Sequence, residues 1–237
     1  MSVEIDVVED PARACSALLL GAVMAGGHVV LTGGSTPRRA YRELAGAVRA
    51  LELDLAETEF WFGDDRAVPP DDERCNYKMA KEALFDPLED VMTARVHRIQ
   101  GELGHEQAAE VYENELREAG APPFELVLMG MGPDGHTASL FPDQATLDED
   151  ARLVVGVPEA GLEPFVPRIS LTLPALAQTR LMVFLIEGDS KAEMVVRAFG
   201  PDAEPDRRVP TSLLPPLVRE VQVLLDPSAA AQLPAGG

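Results

Sequence analysis

The sequence has little of what a disulfide-rich, secreted or membrane protein needs. Its 237 residues include only two cysteines, Cys15 and Cys75, which lie far apart and outside any CxxC pair. We therefore expect no disulfide framework and no structural zinc site, but two reduced thiols in a cytoplasmic protein. The longest apolar run, residues 17–25, falls well short of the ~20 residues that span a bilayer. An acidic segment precedes this run, so neither a signal peptide nor a membrane anchor is expected.

Positive charge is also scarce. The chain has 20 Lys and Arg against 40 Asp and Glu, which gives a formal net charge of −20 at pH 7. A protein that binds nucleic acid needs a basic face, so we expect no nucleic-acid partner. An anionic small molecule would have to bind at a local cluster of positive charge on an otherwise negative surface. The few basic residues near candidate loops are therefore more informative than the many acidic ones.

Apolar runs alternate with amphipathic stretches along the chain. The runs predict strands at residues 5–8, 29–32, 60–63, 126–130, 153–157, 169–173, 181–186 and 221–225. The amphipathic stretches predict helices at residues 11–24, 37–49, 76–85, 106–119 and 191–199. This alternation predicts an α/β fold with one doubly wound, mostly parallel, Rossmann-like sheet and helices on both faces. We place a single domain at residues 1–226 and a flexible C-terminal tail at residues 227–237.

In such a sheet, ligands bind outside the carboxyl ends of the strands, so the loops that follow strands are the informative ones. The first, residues 32–37, contains Gly33 and Gly34, which let a ligand approach the backbone. Ser35 or Thr36 can cap the following helix. Free N–H groups and the helix dipole then predict an anion site at this loop. A plain capped turn is the alternative, and a Walker A loop is excluded because its lysine is missing.

The second loop, residues 63–69, follows the next predicted strand and contains two carboxylates and an arginine. Arg66 could bind a phosphate or a sugar oxygen through two parallel hydrogen bonds. Asn76 and Tyr77, about ten residues further along the chain, could add polar contacts if the intervening loop folds back. The alternative is a surface turn with an ion pair of little energetic value.

The third loop, residues 130–139, follows the clearest predicted strand and carries Asp134 and His136 on either side of a glycine. A carboxylate beside an imidazole fixes its tautomer and raises its basicity, which suits a general base. The loop also spells GxGxxG, but Pro133 fits a pyrophosphate-binding turn poorly and Pro142 interrupts the segment that follows. We therefore expect no nicotinamide cofactor.

Two further cations, Arg168 and Lys191, stand at the start of a predicted strand and a predicted helix. If they converge on the first loop, they supply the positive cluster that an anionic ligand requires. The other histidines, His28, His97 and His105, show no metal-ligand spacing, so no metal is expected. There is no GxSxG nucleophile motif, and we expect an activated water rather than a covalent intermediate.

Read together, the loops resemble those of the glucosamine-6-phosphate isomerase and 6-phosphogluconolactonase family, and within it the lactonases. The motifs are Leu-Thr-Gly-Gly-Ser-Thr-Pro at 31–37, Trp-Phe-Gly-Asp-Asp-Arg-Ala-Val-Pro at 61–69, Asn-Tyr at 76–77 and Gly-Met-Gly-Pro-Asp-Gly-His-Thr-Ala-Ser-Leu-Phe-Pro at 130–142. Arg-Ile-Ser at 168–170 and Gly-Asp-Ser-Lys-Ala at 188–192 match later motifs in the same order. The likeness extends over essentially the whole chain to about residue 198.

The resemblance implies a fold shared with glucosamine-6-phosphate deaminases. It also implies hydrolysis of 6-phospho-D-glucono-1,5-lactone to 6-phosphogluconate, the second step of the oxidative pentose phosphate pathway, without a cofactor. His136 matches the general base of the family, and Asp134 matches its partner. From the loops and the resemblance together, the predicted substrate-binding residues are Gly34, Ser35, Thr36, Asp64, Arg66, Asn76, Arg168 and Lys191. The predicted partner is a small phosphorylated sugar lactone, bound by a monomer or small homo-oligomer with no membrane contact.

The alternative is a deaminase-type sugar-phosphate enzyme. In deaminases the third loop normally ends in Asn-Glu-Pro, and the counterpart of Arg66 is normally a tyrosine. Here the loop ends in Ser139-Leu140-Phe141-Pro142, and both departures favour the lactonases. Asp65 stands where lactonases more often have glutamate, although the carboxylate is kept. A non-catalytic sugar-phosphate sensor is a third class, but it would normally need an effector domain, which we do not expect in a chain of this length.

Overall fold

Strands of two separate sheets make up the centre of the computed structural model, which describes residues 2–234. In chain order the strands are β1 (Ser2–Val7), β2 (Gly27–Leu31), β3 (Thr58–Phe62), β4 (Asp64–Arg66), β5 (Arg95–Val96), β6 (Phe124–Met129), β7 (Val154–Val157), β8 (Arg168–Leu171), β9 (Thr179–Ile186) and β10 (Glu220–Leu225). The larger sheet has the order β1-β10-β9-β6-β2-β3-β5, and every neighbouring pair in it is parallel. The smaller sheet, β4-β8-β7, is antiparallel.

Helices fill the connections between the parallel strands. They are α1 (Pro11–Ala25), α2 (Ser35–Ala50), α3 (Asn76–Ala80), α4 (His105–Ala119), α5 (Leu173–Leu176) and α6 (Ala192–Phe199). A π-helical turn at Lys81–Phe85 extends α3, so together they cover the helix predicted at residues 76–85. A short 3₁₀ turn at Asp189–Lys191 precedes α6, which therefore begins one residue later than predicted.

Strand β3 shows that helices cover both faces of the larger sheet. Successive side chains of a strand point to opposite faces. Phe60 packs against Phe85 beyond α3, with ring centroids 5.5 Å apart, whereas Trp61 packs against Tyr112 of α4 at 5.7 Å. The predicted α/β class, with a mostly parallel sheet between helical layers, is therefore confirmed.

The smaller sheet is where the structure departs from the sequence-based expectation. The strands predicted at residues 153–157 and 169–173 exist, but they form β7 and β8 and do not join the larger sheet. Their partner β4 has only three residues, all charged, and follows β3 after the single residue Gly63. Such a short polar strand carries no apolar periodicity, so it could not be predicted from the sequence. Strand β5 was not predicted either, because two residues are too few to show a periodicity.

The chain beyond β10 packs at least in part on the domain. Ala229 is fully buried, and its backbone N–H donates to Oδ1 of Asp226 at 2.9 Å. The predicted flexible tail at residues 227–237 stays a prediction, and its last part, 235–237, lies outside the described residues. Within residues 2–234, none of the helices combines the length and apolar composition that crossing a bilayer requires.

Candidate active site

The three predicted loops meet at one cavity of about 210 Å³, beyond the carboxyl ends of β2, β3 and β6. Its wall includes all of the predicted substrate-binding residues and the predicted base: Gly34, Ser35, Thr36, Asp64, Arg66, Asn76, Arg168, Lys191 and His136. Asp134 does not line the cavity and contacts it through His136. The structure therefore brings the three loops together with Arg168 and Lys191, a convergence that could not be derived from the sequence.

His136 is held by Asp134 through two hydrogen bonds. Nδ1 of the ring lies 2.6 Å from Oδ1 of Asp134, and the backbone N–H of His136 donates to the same oxygen at 3.2 Å. Burial raises the pKa of the Asp134 carboxyl, but the hydrogen bond and charge of His136 outweigh it and leave this pKa below its ordinary value. An ionised Asp134 accepts the Nδ1 proton, so Nε2 remains as the acceptor nitrogen of the ring.

Two glycines make this hairpin-like loop possible. Gly135 has φ +83°, a left-handed conformation that turns the chain between the two partners. At Gly132 a Cβ atom would lie 2.2 Å from Nδ1 and Cε1 of His136 and 2.7 Å from Oδ1 of Asp134. The ring and the carboxylate therefore occupy space that any side chain at residue 132 would fill. Sequence reasoning missed the role of Gly132, and the Asp-Gly-His spacing next to it is the signal that could have indicated a close approach.

The first loop delivers the N-terminus of α2 to the cavity. Gly34 is the N-cap residue, with φ +100°, and no side chain caps the helix. The expectation that Ser35 or Thr36 caps the helix is therefore wrong, because the helix already begins at Ser35. Ser35 and Thr36 lie in the first turn of α2. Because no side chain caps the helix, its first N–H groups can bind an anion.

A hydrogen-bonded cluster connects the second loop to the third. Nδ2 of Asn76 donates to the carbonyl oxygen of Asp64 at 2.9 Å and to its Oδ1 at 3.3 Å, and the hydroxyl of Ser139 donates to Oδ2 at 2.6 Å. Asn76 also packs so closely on Gly33 that a Cβ there would lie 1.9 Å from its Oδ1. Both carboxylate oxygens of Asp64 are thus fixed. Ser139 is fully buried, and no pattern in the sequence indicates that it belongs to this cluster.

The neighbouring carboxylate has a structural role. Oδ1 of Asp65 accepts from the backbone N–H groups of Arg66 and Asn76 at 2.7 Å each, and Oδ2 accepts from that of Tyr77 at 3.0 Å. Burial raises the pKa of Asp65 to about 6, although these donors oppose the rise. Asp65 therefore anchors the start of α3 to the second loop rather than lining the cavity.

Three cations supply positive charge to the cavity wall. Arg66 and Arg168 are opposite each other in the antiparallel pairing of β4 with β8, and Lys191 precedes α6. Arg168 is 3% exposed, and one of its terminal nitrogens donates to the carbonyl oxygens of Pro164 at 3.0 Å and Leu162 at 3.4 Å. Its Nε is buried with no partner among residues 2–234.

Burial lowers the pKa of both Arg168 and Lys191, although nearby carboxylates oppose this effect. A buried cation with incomplete pairing is stabilised by a bound anion. By contrast, Arg38 and Arg39, which also follow the first loop, form ion pairs with Glu82 and with Asp10 and Glu43. They do not line the cavity.

The family comparison agrees with the motifs. Residues 8–223 match the family model described as glucosamine-6-phosphate isomerases/6-phosphogluconolactonase. The 6-phosphogluconolactonase of Mycobacterium leprae is 38% identical over 216 residues, which is 87% of this chain and 85% of the relative. That of Haemophilus influenzae is 37% identical over 71% of each chain, and the human one is 35% identical over 86% of this chain and 79% of its own length.

Solved structures give the same result. The 6-phosphogluconolactonase of Leishmania guyanensis superposes with a TM-score of 0.84 at 28% identity, covering 99% of this chain and 100% of its own. The Trypanosoma brucei enzyme superposes with a TM-score of 0.82 at 26% identity, over 98% and 99%. A monomeric glucosamine-6-phosphate deaminase reaches 0.81 at 20% identity, covering 98% of this chain and 99% of its own, which is a likeness of fold alone.

Proposed function

The chain belongs to the family of glucosamine-6-phosphate isomerases and 6-phosphogluconolactonases, and we propose that it hydrolyses 6-phospho-D-glucono-1,5-lactone to 6-phospho-D-gluconate. This reaction is the second step of the oxidative pentose phosphate pathway. One observation carries the proposal. The imidazole of His136, which is hydrogen-bonded to the carboxylate of Asp134 at 2.6 Å, lies in the wall of the same cavity as three cations and the N-terminus of α2.

His136 is the general base in the mechanism that this arrangement supports. Asp134 holds the proton on Nδ1, so Nε2 removes a proton from a water molecule as its oxygen attacks the lactone carbonyl carbon. The bond from that carbon to the ring oxygen then breaks, and the imidazolium gives its proton to the departing oxygen. General base catalysis of this kind contributes typically ~10²–10⁴-fold. The negative charge of Asp134 stabilises the imidazolium while it exists.

The remaining residues bind and orient the substrate. The N–H groups at Gly34, Ser35 and Thr36, together with Arg168 and Lys191, take the phosphate. Binding at the phosphate, away from the carbonyl carbon, holds the lactone in register with the base. Arg66 and loop N–H groups then face the oxyanion that develops on the carbonyl oxygen.

We propose the same partner and location that the sequence predicted, and the net charge supports the absence of polyanionic partners. With a net charge of −20, the protein has no electrostatic attraction to nucleic acid or to an anionic membrane surface. Its partner is the small phosphorylated lactone, bound in the cytoplasm by a monomer or a small homo-oligomer. The deaminase alternative lacks support at the end of the third loop, where Leu140 and Phe141 are buried apolar residues instead of a carboxylate.

The direct test replaces the base. We expect His136→Ala and His136→Gln to lower kcat by about 10²-fold or more, because the attacking water loses its proton acceptor. The measurement is a coupled assay of 6-phosphogluconate from freshly prepared lactone, after subtraction of spontaneous hydrolysis. The control is His105→Gln, since His105 is the first residue of α4 and does not line the cavity. A near wild-type kcat in the His136 variants would exclude this base, and ammonia release from glucosamine 6-phosphate would favour the deaminase alternative.

A further inference from the structure

Residues 206–212, which we call the strap, lie against the loop that carries His136. The backbone N–H and the hydroxyl of Thr211 both donate to the carbonyl oxygen of Gly135, at 3.0 and 2.9 Å. The same hydroxyl lies 3.5 Å from the carbonyl oxygen of His136. Val209 packs on Gly135 so closely that a Cβ at residue 135 would lie 2.9 Å from its Cγ1. The strap therefore contacts the backbone of the base itself.

Residues outside the strap hold its N-terminal end. Asp206 forms an ion pair with Arg197 of α6 at 3.1 Å, and the N–H of Asp143 donates to the carbonyl oxygen of Arg207 at 3.1 Å. Within the strap, the backbone N–H of Asp206 donates to the hydroxyl of Ser212 at 2.8 Å, which joins its first residue to its last. The strap is thus anchored outside the loop that it touches.

Thr211 is fully buried and does not line the cavity. Its hydroxyl has no part in binding substrate, yet two of its polar atoms converge on the peptide that precedes His136. Burying a hydroxyl group costs free energy unless the group is hydrogen-bonded. The hydrogen bonds of the Thr211 hydroxyl go to the loop that carries His136. The position of the His136 backbone is therefore set from two sides, by Asp134 within the loop and by Thr211 from the strap.

We propose that Thr211 is a positioning residue for His136, acting through the carbonyl groups of Gly135 and His136. This inference rests on the proposed function for its kinetic part only. Loss of the hydroxyl would let the loop shift relative to the bound lactone, and shifts of this kind lower the rate without weakening phosphate binding. The effect belongs in kcat, while KM stays near its wild-type value.

The test compares variants that differ by one hydroxyl. Thr211→Val keeps the shape and the N–H bond but removes the hydroxyl, and we expect kcat to fall about tenfold. Thr211→Ser restores the hydroxyl and most of the rate. Thr58→Val is the matched control, because Thr58 is also fully buried and its hydroxyl also donates to a backbone carbonyl, that of Val23 at 3.2 Å. Thr58 opens β3, at the end of that strand away from the cavity. If Thr211→Val does not fold, Thr211→Ala takes its place.

A second readout does not depend on activity. The chain has four histidines, and the ring signal of His136 in a proton NMR titration is identified by its loss in His136→Gln. We expect Thr211→Val to move the His136 signal and to leave those of His28, His97 and His105 in place. An unmoved His136 signal, or a raised KM with unchanged kcat, would overturn the inference. An inactive wild-type protein would instead count against the proposed function and leave the NMR result to decide this one.

Discussion

The position of the His136 ring depends on the absence of a side chain at residue 132. Gly132→Ala places a methyl group 2.2 Å from the ring while leaving an ordinary backbone conformation, since Gly132 does not have a positive φ. We expect kcat to fall by about 10²-fold because the ring must move by an ångström or more. The control is Gly46→Ala in α2, where an added Cβ meets no atom within 4 Å. Unchanged kcat in Gly132→Ala, measured in the lactone assay, would contradict the geometry.

Lys191 allows the phosphate site to be tested without touching the base. We expect Lys191→Met to raise KM for the phosphorylated lactone about tenfold with little change in kcat, because its proposed contact is with the phosphate, which is remote from the reacting carbonyl. The unphosphorylated lactone should show no change. The control is Lys81→Met, since Lys81 forms an ion pair with Asp86 outside the cavity. Equal losses on both substrates would speak against a phosphate role for Lys191.

Among the secondary-structure elements, α4 is tied to the larger sheet by His97. Its Nδ1 lies 2.7 Å from Oε1 of Glu115 in α4, and its Nε2 lies 2.9 Å from Oε2 of Glu59 in β3. Glu59 also has His28 at 3.8 Å and Arg95 at 3.4 Å. Burial lowers the pKa of His97, but the two carboxylates outweigh burial, and the pKa is raised above 6.5. The imidazolium therefore links the helix to the sheet.

This link predicts a pH-dependent stability. Because the folded-state pKa of His97 is raised, its contribution is fully present below pH 6.5 and is lost as the pH rises through the folded-state value. At about 1 kcal/mol for a partly exposed ion pair, His97→Gln should lower the Tm by about 2–4 °C at pH 6 and by less at pH 9. His105→Gln is the control, its nearest carboxylate being 4.0 Å away. An equal loss of Tm at both pH values would exclude the charged link.

We expect the fluorescence of Trp61, the only tryptophan, to change as His97 titrates. Its ring is stacked on His97 at 3.8 Å with an interplanar angle of 3°.

The elements with strong apolar runs, such as β2 and β6, were found in the sequence because burial on both faces leaves a continuous hydrophobic signature. The small charged β4 has no such signature, and its pairing with β8 depends on residues about one hundred positions away. Local patterns could not reveal it.

At the scale of the whole molecule, the contrast between the negative net charge and the cations of the cavity explains why the sequence could predict the cationic site residues. The net charge of −20 and the rarity of basic residues pointed to Arg66, Arg168 and Lys191, and the structure brings all three to one cavity. What the sequence could not supply was the support around them. Ser139 and Thr211 are ordinary hydroxyl residues in the sequence, and only the fold shows that they bond to Asp64 and to the His136 loop.

The pairing of β4 with β8 has a consequence for how substrate choice could change in this protein. Arg66 and Arg168 occupy opposed positions of one antiparallel ladder, so main-chain pairing sets the interval between their Cα atoms and places both side chains on the same face of the smaller sheet. Side-chain substitutions elsewhere in the cavity leave that interval untouched, whereas a one-residue slip of β8 would send Arg168 to the other side of the sheet. The strand pairing therefore keeps both arginines beside the cavity, and we expect a change in the size of the accepted ligand to arise in the surrounding loops.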